Sequence, residues 1–549
     1  MATETLTQPW HRPRFTGMGW LRFASGAVAL LVCVPLVAVL ANLLVSRTET
    51  WRHLAQTLLT DYLLNTAWLA LLVGAGVTVV GVGCAWLTSM CRFPLVRFLE
   101  WALLLPLAMP AYVMAYAYTD FLQFAGPLQS SLRAAFGWQA GDYWFPDVRS
   151  LGGAAFVLAF VLYPYVYLLA RAAFLEQSAS AIETARVLGE SAARSFWRIA
   201  LPLARPAIVA GVALCLMETL ADYGTVAYFG VDTFSTGIFR AWFSLGDPVA
   251  AAQLGALLLA GVGGVLALER LARGRAAFHG ASRRRSTPYR LRGARALGAS
   301  VACSVPLILG FAIPAALLCR LLLQEDAVIA AARFARLAGN SLVLAAAAAA
   351  LAVGCALVIA YASRLRQGVA ERAAHRIAGL GYAIPGVVIA VGVMVPLTQI
   401  DHALASLVPG PGPARLILSG TVVALLYAYL VRFLAVALQS VDAGLARIRR
   451  SMDDAARSLG ASPAATLLRV HAPLLAPSLF AAALLVFVDV MKELPATLAL
   501  RPFDFDTLAV QTFNLAKDER LAEASLPALA IVLVGLIPVY LLARSMARR

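Results

Sequence analysis

Charged residues are scarce in this sequence. Only 13% of its 549 residues are Asp, Glu, Lys or Arg, which is about half the share usual in soluble domains. Hydrophobic residues make up 61% of the chain, and its mean hydropathy is +0.79. These values exclude an ordinary soluble protein and predict a polytopic membrane protein.

Several chemical motifs are also missing. The two lysines, Lys492 and Lys517, do not belong to a GxxxxGK(S/T) phosphate-binding loop. None of the seven cysteines forms a CxxC pair, so a zinc site and a disulfide framework have no support. No Ser/His/Asp, Cys/His or HExxH arrangement is present. We therefore expect a chain that is not an enzyme and binds no cofactor of its own.

Long apolar runs take the place of these motifs. Residues 26–45 and 526–543 are each long enough to cross a hydrocarbon core of about 30 Å as a helix. Polar, proline-rich or glycine-rich segments separate such runs along the chain. The pattern predicts an all-α protein with about twelve transmembrane helices, near residues 22–46, 62–88, 99–121, 152–175, 205–229, 248–268, 297–322, 340–363, 377–399, 416–438, 476–500 and 525–544.

The arginines predict an orientation. The net charge is +16, and the arginines lie between the apolar runs, so nucleic acid is not an expected partner. Because cytoplasmic loops are rich in Lys and Arg, we expect both termini in the cytoplasm. Segment 270–296 contains nine arginines and is interpreted as a basic cytoplasmic linker. A lipid-binding or nucleic-acid-binding patch is the alternative interpretation of that segment.

The chain contains an internal repeat. Glu183 and Asp454 are 271 residues apart, and several identical residues follow both at that offset: Ala185/Ala456, Arg186/Arg457, Leu188/Leu459, Gly189/Gly460 and Pro202/Pro473. The repeat predicts a first half at residues 1–269 and a second half at residues 297–549. Each half has an even number of spans, so the two six-helix repeats are expected to be parallel.

The repeated segment is polar and lies after the fourth span of each half. It reads "ETARVLGESAARSFWRIALPLARP" from Glu183 and "DAARSLGASPAATLLRVHAPLLAP" from Asp454. In the first copy the pattern predicts a short helix, a left-handed turn at Gly189, and a second short helix that begins at Ser191 and ends before Pro202. A hairpin that merely connects two spans is the alternative, but two copies at equivalent positions favour a docking surface.

This segment resembles the EAA loop of type I ABC importer permeases. The first copy matches the family pattern at Glu183, Ala185, Gly189, Ile199, Leu201 and Pro202, with Thr184 in the middle of the motif. The second copy has Asp454 in place of the glutamate and keeps Ala456, Gly460 and Pro473.

The resemblance implies that loops 176–205 and 447–476 couple the chain to ATP-hydrolysing subunits. It assigns the contact to Glu183, Ala185, Gly189, Asp454, Ala456 and Gly460. Since one chain carries two such loops, we expect two copies of the ATPase subunit, and we expect ATP and magnesium to bind in those copies.

Four carboxylates recur near the ends of the predicted fifth spans. Glu218 and Asp222 are four residues apart, and Asp489 and Glu493 repeat the spacing at the offset of 271. This spacing places each pair on one helical face. Ionisable groups inside a span usually face a bundle interior or an aqueous cavity. They are therefore candidates for a translocation pathway, and pairing with Lys492 or capping of broken helices at Gly224 and Pro495 is compatible with that role.

Two prolines also match between the halves. Pro110 and Pro385 lie inside the predicted third spans, at an offset of 275. Proline bends a helix because it lacks a backbone N–H group. The bends could form a gate, but membrane helices also tolerate proline without such a function.

The stretches "METLADYGTVAYFGVDTFSTGIFRAW" and "DVMKELPATLALRPFDFDTLAVQTFN" resemble the fused permeases of ferric-iron importers, and the likeness extends over nearly the whole chain. The resemblance implies a bacterial inner membrane protein that receives iron from a periplasmic binding protein at outward loops such as 122–150. Fe(III) prefers oxygen ligands, which suits the four carboxylates and Tyr112, Tyr116, Tyr118 and Tyr223. Tyrosines near span ends are also typical interfacial anchors, so the metal ligands stay unassigned.

Other functions remain compatible with the same pattern. Within the importer class, thiamine, molybdate or sulfate, phosphonate and polyamine are alternative cargoes. An ion-coupled secondary transporter has no need of paired coupling loops, and a membrane scaffold has no need of duplicated carboxylates.

Overall fold

A computed structural model describes residues 19–46, 48–176, 187, 189–273, 288–324, 330–366, 368–407 and 418–547. Within these residues eleven helices are long and apolar enough to cross a membrane, and a bent pair of helices makes up to twelve. Large apolar side chains such as Phe23, Leu30 and Val79 are exposed on their surfaces, as expected for a lipid-facing surface. The predicted all-α polytopic fold is confirmed.

The helices of the first half follow the predicted order. They are α1 (Gly19–Ala41), α2 (Glu49–Thr57), α3 (Leu59–Met90), α4 (Val96–Ala102), α5 (Ala111–Leu122), α6 (Pro127–Phe136), α7 (Leu151–Glu176), α8 (Ala192–Ala221), α9 (Gly224–Tyr228), α10 (Phe234–Phe239) and α11 (Pro248–Arg273). The first half also contains two short 3-10 segments, at Asn42–Leu44 and Leu105–Ala108.

The second half repeats this arrangement. Its helices are α12 (Ala294–Leu322), α13 (Ala331–Leu365), α14 (Val369–Ala378), α15 (Gly386–Leu407), α16 (Val422–Ala446), α17 (Arg450–Ser458), α18 (Pro463–Met491), α19 (Pro495–Leu500), α20 (Leu508–Lys517) and α21 (Leu521–Ala547). A 3-10 turn at Gly381–Ala383 lies between α14 and α15. Two short strands, β1 (Cys91–Arg92) and β2 (Tyr289–Arg290), pair in parallel.

The third spans differ from the prediction because each is broken before its matched proline. In the first half, segments Val96–Ala108 and Ala111–Phe136 meet at an angle of 92°. Pro110 is the N-cap of α5 and has an extended backbone, and Pro385 directly precedes α15. A proline disfavours helical geometry in the residue before it and has no N–H for a preceding turn. The two prolines therefore begin helices instead of lying inside them.

The prediction that the helix after Ser191 ends before Pro202 was wrong. The Ser191 hydroxyl does cap the helix by accepting a hydrogen bond from the backbone of Arg194 at 3.3 Å. The helix then continues to Ala221, because a π-turn at Phe196–Ala200 precedes Pro202. Pro202 falls in the first turn after this π-turn, where a missing N–H is tolerated best. The second of the two predicted short helices is therefore continuous with the fifth span.

The first helix of each half, α1 or α12, packs against the other half. Helix α1 packs against α15, where a Cβ on Gly392 would lie 2.4 Å from the Pro35 carbonyl oxygen. Pro35 lacks the N–H that would normally bond the Leu31 carbonyl, and Tyr427 of the second half donates its hydroxyl to that oxygen at 2.6 Å. The exchange holds the halves around one interior, whose buried residues form a continuous apolar core.

The reverse contact is made by α12. Tyr118 of the first half donates its hydroxyl to the Leu309 carbonyl at 2.6 Å, within a π-turn of α12 at Ile308–Ala312. A Cβ on Gly310 would lie 2.6 Å from the Phe160 carbonyl oxygen, so α12 lies directly against α7. Residues at the ends of the two fifth helices, α8 and α18, line the same interior cavity.

Candidate translocation site and coupling surface

Each fifth helix breaks where its second carboxylate lies. Helix α8 ends at Ala221, and Asp222 accepts hydrogen bonds from the backbone of Thr225 at 3.0 Å and Val226 at 3.1 Å, as well as from the Thr225 hydroxyl at 3.0 Å. These are the free N–H groups at the start of α9, which an acidic cap stabilises. Asp222 therefore joins the two helices across an unwound turn.

Glu493 performs the same capping in the second half. Its carboxylate accepts hydrogen bonds at 2.9 Å from the backbone of Ala496 and of Thr497, the first turn of α19. The Thr497 hydroxyl lies 2.5 Å from the same carboxylate. Arg432 of α16 adds an ion pair, with 3.3 Å between its guanidinium and Oε1 of Glu493. With a side chain that is 1% exposed, Glu493 is a buried and fully partnered group.

The breaks open onto one central cavity of about 140 Å³. All four sequence-predicted carboxylates, Glu218, Asp222, Asp489 and Glu493, line it together with Arg432 and Lys492. The lining comes from both halves, so the duplicated positions converge on one site. Four carboxylates and two cations give the lining a formal charge of −2, which favours a positively charged occupant.

The remaining two carboxylates, Glu218 and Asp489, have fewer hydrogen-bond donors around them than Asp222 and Glu493. Asp489 forms an ion pair with Lys492, with 3.0 Å between Oδ1 and Nζ, and is 23% exposed. Among the described residues, Glu218 makes no ion pair within 4.0 Å, although it interacts with the hydroxyl of Tyr382. Tyr382 in turn interacts with Tyr165. Glu218 and Asp489 therefore belong to a polar network that crosses from one half to the other.

The predicted tyrosines divide into two groups. Tyr112 and Tyr223 line the cavity, whereas Tyr118 donates to the Leu309 carbonyl and Tyr116 is buried outside the cavity lining. The Tyr112 hydroxyl is buried and has no hydrogen-bond partner among the described residues. Of the oxygen-bearing aromatic residues proposed from sequence, two are therefore placed where cargo could meet them.

Three cavity residues were missed from sequence: Tyr165, Tyr382 and Arg432. Tyr165 lies between Tyr163 and Tyr167, whose hydroxyls donate to backbone carbonyls inside the bundle. Arg432 carried a usable signal, because an arginine within the apolar run 422–446 is costly unless it meets an acidic partner.

Loop 447–476 contains a short helix and a glycine turn, followed by the start of the long helix α18. Helix α17 ends at Ser458, Gly460 has φ of +78°, and the Ser462 hydroxyl caps α18 by accepting from the backbone of Ala465. The Asp454 side chain is 70% exposed, and Leu459 is 87% exposed. Ala456 is buried beneath them. The loop thus exposes both a carboxylate and an apolar side chain.

A buried network fastens this loop to the membrane helices. Asp453 of α17 is paired with Arg364 of α13, whose Nε lies 3.0 Å from Oδ2 of Asp453. Nε2 of His471, in the π-turn of α18, lies 2.6 Å from Oδ1 of Asp453. Arg364 also donates to the carbonyls of Leu445 and Ile448 at the end of α16. The network therefore connects α17 to three membrane helices, α13, α16 and α18.

The first coupling loop is described in part. Glu183 and Ala185 lie outside the described residues. Gly189 has φ of +79°, matching Gly460, and this left-handed conformation favours glycine. Trp197 follows on an exposed helical surface, whereas Phe196 packs against Trp86.

No group of three or more His, Cys, Asp or Glu side chains within the described ranges is arranged to hold a metal ion. The cavity lining instead combines carboxylates with tyrosines.

Comparison with known proteins adds independent findings. Residues 77–276 and 348–549 each match a family model described as "Binding-protein-dependent transport system inner membrane component". The chain is 26% identical over 539 residues to a protein of Haemophilus influenzae named "Fe(3+)-transport system permease protein FbpB 2", covering 97% of this chain and 98% of that protein.

Shorter similarities extend to permeases with other names. A "Putative 2-aminoethylphosphonate transport system permease protein PhnV" of Salmonella typhimurium is 35% identical over 154 residues, which cover 28% of this chain and 52% of that protein. A "Probable sulfate transport system permease protein cysT" of Chlorokybus atmophyticus is 28% identical over 206 residues, 36% of this chain and 66% of that protein.

Proposed function

Because the chain belongs to the family of binding-protein-dependent transport system inner membrane components, we propose that it forms the pathway of an ATP-driven importer for ferric iron. Its relatives are named as permeases of transport systems, so the chain is a transport subunit and not an enzyme. Its many membrane-spanning helices make it a multi-pass protein of the inner membrane. The cargo, the number of partners and the orientation are the parts we propose.

One observation carries the proposal of a cationic cargo. The N-terminal N–H groups of α9 and α19, which would attract an anion, are already occupied by Asp222 and Glu493. The fifth helices, in contrast, end at the cavity with the negative ends of their dipoles. Glu218 and Asp489 lie one turn before these ends. The carboxylates and helix ends that remain unoccupied in the cavity are therefore negative and attract a cation.

Ferric iron fits this chemistry best among cationic cargoes. Fe(III) is a hard ion that prefers carboxylate and phenolate oxygen, and the lining supplies both types. The relative that is similar over almost its full length is named for Fe(3+) transport. The similarities to permeases named for phosphonate and sulfate transport cover about a third of the chain.

The test is uptake of radioactive iron into cells or proteoliposomes that contain the permease, its ATPase subunits and its binding protein. Glu218→Gln and Asp489→Asn should each reduce iron uptake by at least tenfold while the protein still inserts into the membrane. Asp504→Asn is the matched control, since Asp504 is exposed and outside the cavity. Unchanged uptake in both cavity variants would contradict the proposal.

An anionic cargo is the second candidate, because Arg432 and Lys492 line the same cavity. Both cations are paired with carboxylates at 3.3 Å and 3.0 Å, which reduces their attraction for an anion. Uptake of radioactive sulfate or 2-aminoethylphosphonate by the same vesicles, with no uptake of iron, would establish this candidate instead.

We also propose that both coupling loops dock on ATPase subunits, one copy at each loop. In the second loop, exposed Asp454 and Leu459 flank the buried Ala456, which is the pattern of a short docking helix. Leu459→Asp should weaken co-purification of the ATPase subunit, whereas Leu323→Asp, at a similarly exposed leucine outside both loops, serves as the matched control. ATPase subunits that co-purify with the Leu459→Asp variant in unchanged amount would contradict this assignment.

The proposed docking fixes the orientation of the chain. With loops 176–205 and 447–476 in the cytoplasm, both termini lie in the cytoplasm and segment 122–150 faces the periplasm. That segment carries exposed Trp144 and Phe136, which suits contact with a binding protein. Labelling of a cysteine introduced at Trp144 by a membrane-impermeant reagent, from the periplasmic side, is the expected result. Labelling from the cytoplasmic side alone would reverse the orientation.

A further inference from the structure

Lys492 places an ammonium group between carboxylates of the two halves. Its Nζ lies 3.0 Å from Oδ1 of Asp489, and it interacts electrostatically with Glu218 and Tyr165 of the first half. It directly follows the end of α18 at Met491. At the offset of 271, the equivalent residue of the first half is Ala221, which lines the same cavity without a charge.

The other charged groups of the cavity are committed to holding the fold. Glu493 is bound by two backbone N–H groups and Arg432, and Asp222 caps α9. The unwound turns would lose their N-terminal caps if these carboxylates moved. Glu218 and Asp489 do not cap a helix among the described residues. Lys492 is the cation that balances their charge.

The Lys492 side chain can change its position within the cavity. Its four-carbon stem is flexible, and an ammonium is a compact charge with no fixed bidentate geometry. The side chain is 30% exposed towards the cavity, compared with 13% for Arg432. Lys492 can therefore swing aside without breaking a helix cap or a buried ion pair.

A second observation points to an occupant of this site. Tyr112 lines the cavity and is 6% exposed, and its buried hydroxyl has no hydrogen-bond partner among the residues that the structure describes. Buried hydroxyls are nearly always partnered. An unpartnered phenol oxygen on a residue of this carboxylate-lined cavity is a donor that suits a hard cation.

We propose that Lys492 is a tethered counter-cation, which balances Glu218 and Asp489 between transport events and is displaced when a trivalent cation enters. The proposal rests on the proposed function, because it takes the cargo to be a cation. A monovalent ion has no more charge than the ammonium that it would replace, so it gains little by entering. A trivalent ion gains from both carboxylates and from the Tyr112 oxygen. Lys492 thus makes the pathway selective for highly charged cations.

The experiment measures binding of Tb³⁺, a redox-inert trivalent probe, to the permease–ATPase complex in lipid nanodiscs. Nearby tyrosines sensitise its luminescence. Lys492→Met, which removes the charge and keeps the length, should raise Tb³⁺ affinity at least tenfold and should allow Na⁺ to compete. Lys492→Arg is the matched control and should change the affinity by less than threefold. Adding Glu218→Gln to Lys492→Met should remove the gain.

The outcomes separate this inference from the proposed function. Equal Tb³⁺ affinity in the wild type and Lys492→Met, with weaker binding in Glu218→Gln, would overturn the tethered cation and leave a cationic cargo in place. Absence of both Tb³⁺ binding and iron uptake would contradict the proposed function itself. Lys492→Gln provides a second neutral variant if Lys492→Met does not yield a monodisperse complex, and it should show the same gain.

Discussion

Replacing Glu493 by glutamine is expected to destabilise the protein more than neutralising any other carboxylate of the central cavity. The change leaves the Arg432 guanidinium without its acidic partner, and that side chain is 13% exposed. Breaking a buried ion pair by removing one partner costs about 3–5 kcal/mol. Asp222→Asn loses a charged cap without stranding a cation, which costs about 1 kcal/mol. Glu218→Gln, with no ion pair among the described residues, should cost less still.

The buried thiols of Cys84, Cys215 and Cys303 provide the assay. A fluorogenic maleimide reacts with them as the detergent-solubilised protein unfolds on heating. The unfolding midpoint of Glu493→Gln should fall clearly below that of the wild type. The midpoint of Glu218→Gln should remain close to the wild-type value, although its transport is lost.

A double variant tests the physical reason. Arg432→Met together with Glu493→Gln removes both charges, so it no longer buries an unpaired guanidinium. Its loss of stability should be smaller than the sum of the two single losses, because the two side chains are in direct contact. Additive losses, or a Glu493→Gln midpoint equal to that of the wild type, would refute the assignment of Glu493 to holding the broken helix.

Three further predictions follow from single contacts. The Asp442 carboxylate, 2.7 Å from Nε2 of His375, raises the pKa of that histidine above its usual 6.5. The pair therefore stabilises the fold fully below about pH 6.5 and loses this effect as pH rises through the raised pKa. Unfolding midpoints measured from pH 5 to 9 should show this loss in the wild type and not in His375→Gln; equal profiles would contradict it. Gly460→Ala should cost about 1–2 kcal/mol because its φ is +78°, and Gly460→Asn should cost less; the reverse order of thermal midpoints would exclude backbone strain. Gly392→Ala should cost about 1–3 kcal/mol by pushing α1 away from α15, whereas Gly354→Ala, with nothing within 4 Å of its Cβ, should be tolerated; equal midpoints would contradict the close approach.

Much of the fold could be predicted from the sequence because membrane helices are specified locally. A span needs about 20 apolar residues whatever its neighbours are, so eleven spans and the bent pair appear near their predicted positions. The ends of the fifth spans were misplaced, because Asp222 and Glu493 cap new helices inside what reads as one apolar run. Capping acts within a single turn, and an overall hydropathy pattern does not register it.

The exchange of first helices could not be predicted in the same way. Its contacts join residues hundreds of positions apart, such as Tyr427 and Leu31, and the apolar surfaces that meet there resemble surfaces that face lipid. The carboxylates of the cavity were found because duplication marked them. Arg432 and Lys492 have no charged counterpart in the first half, so the internal repeat does not mark them as functional residues.

This lack of symmetry follows from the fusion of two halves in one chain. A pathway built from two identical chains would repeat every charge, so equivalents of Arg432 and Lys492 in both halves would set four cations against four carboxylates. The lining would then have no net charge and no electrostatic preference for a cation. Here Val161 and Ala221 occupy the equivalent positions and line the same cavity. The second half therefore contributes both ion pairs of the cavity, Arg432–Glu493 and Lys492–Asp489, and under the proposed function the first half contributes Glu218 as a carboxylate without an ion pair among the described residues.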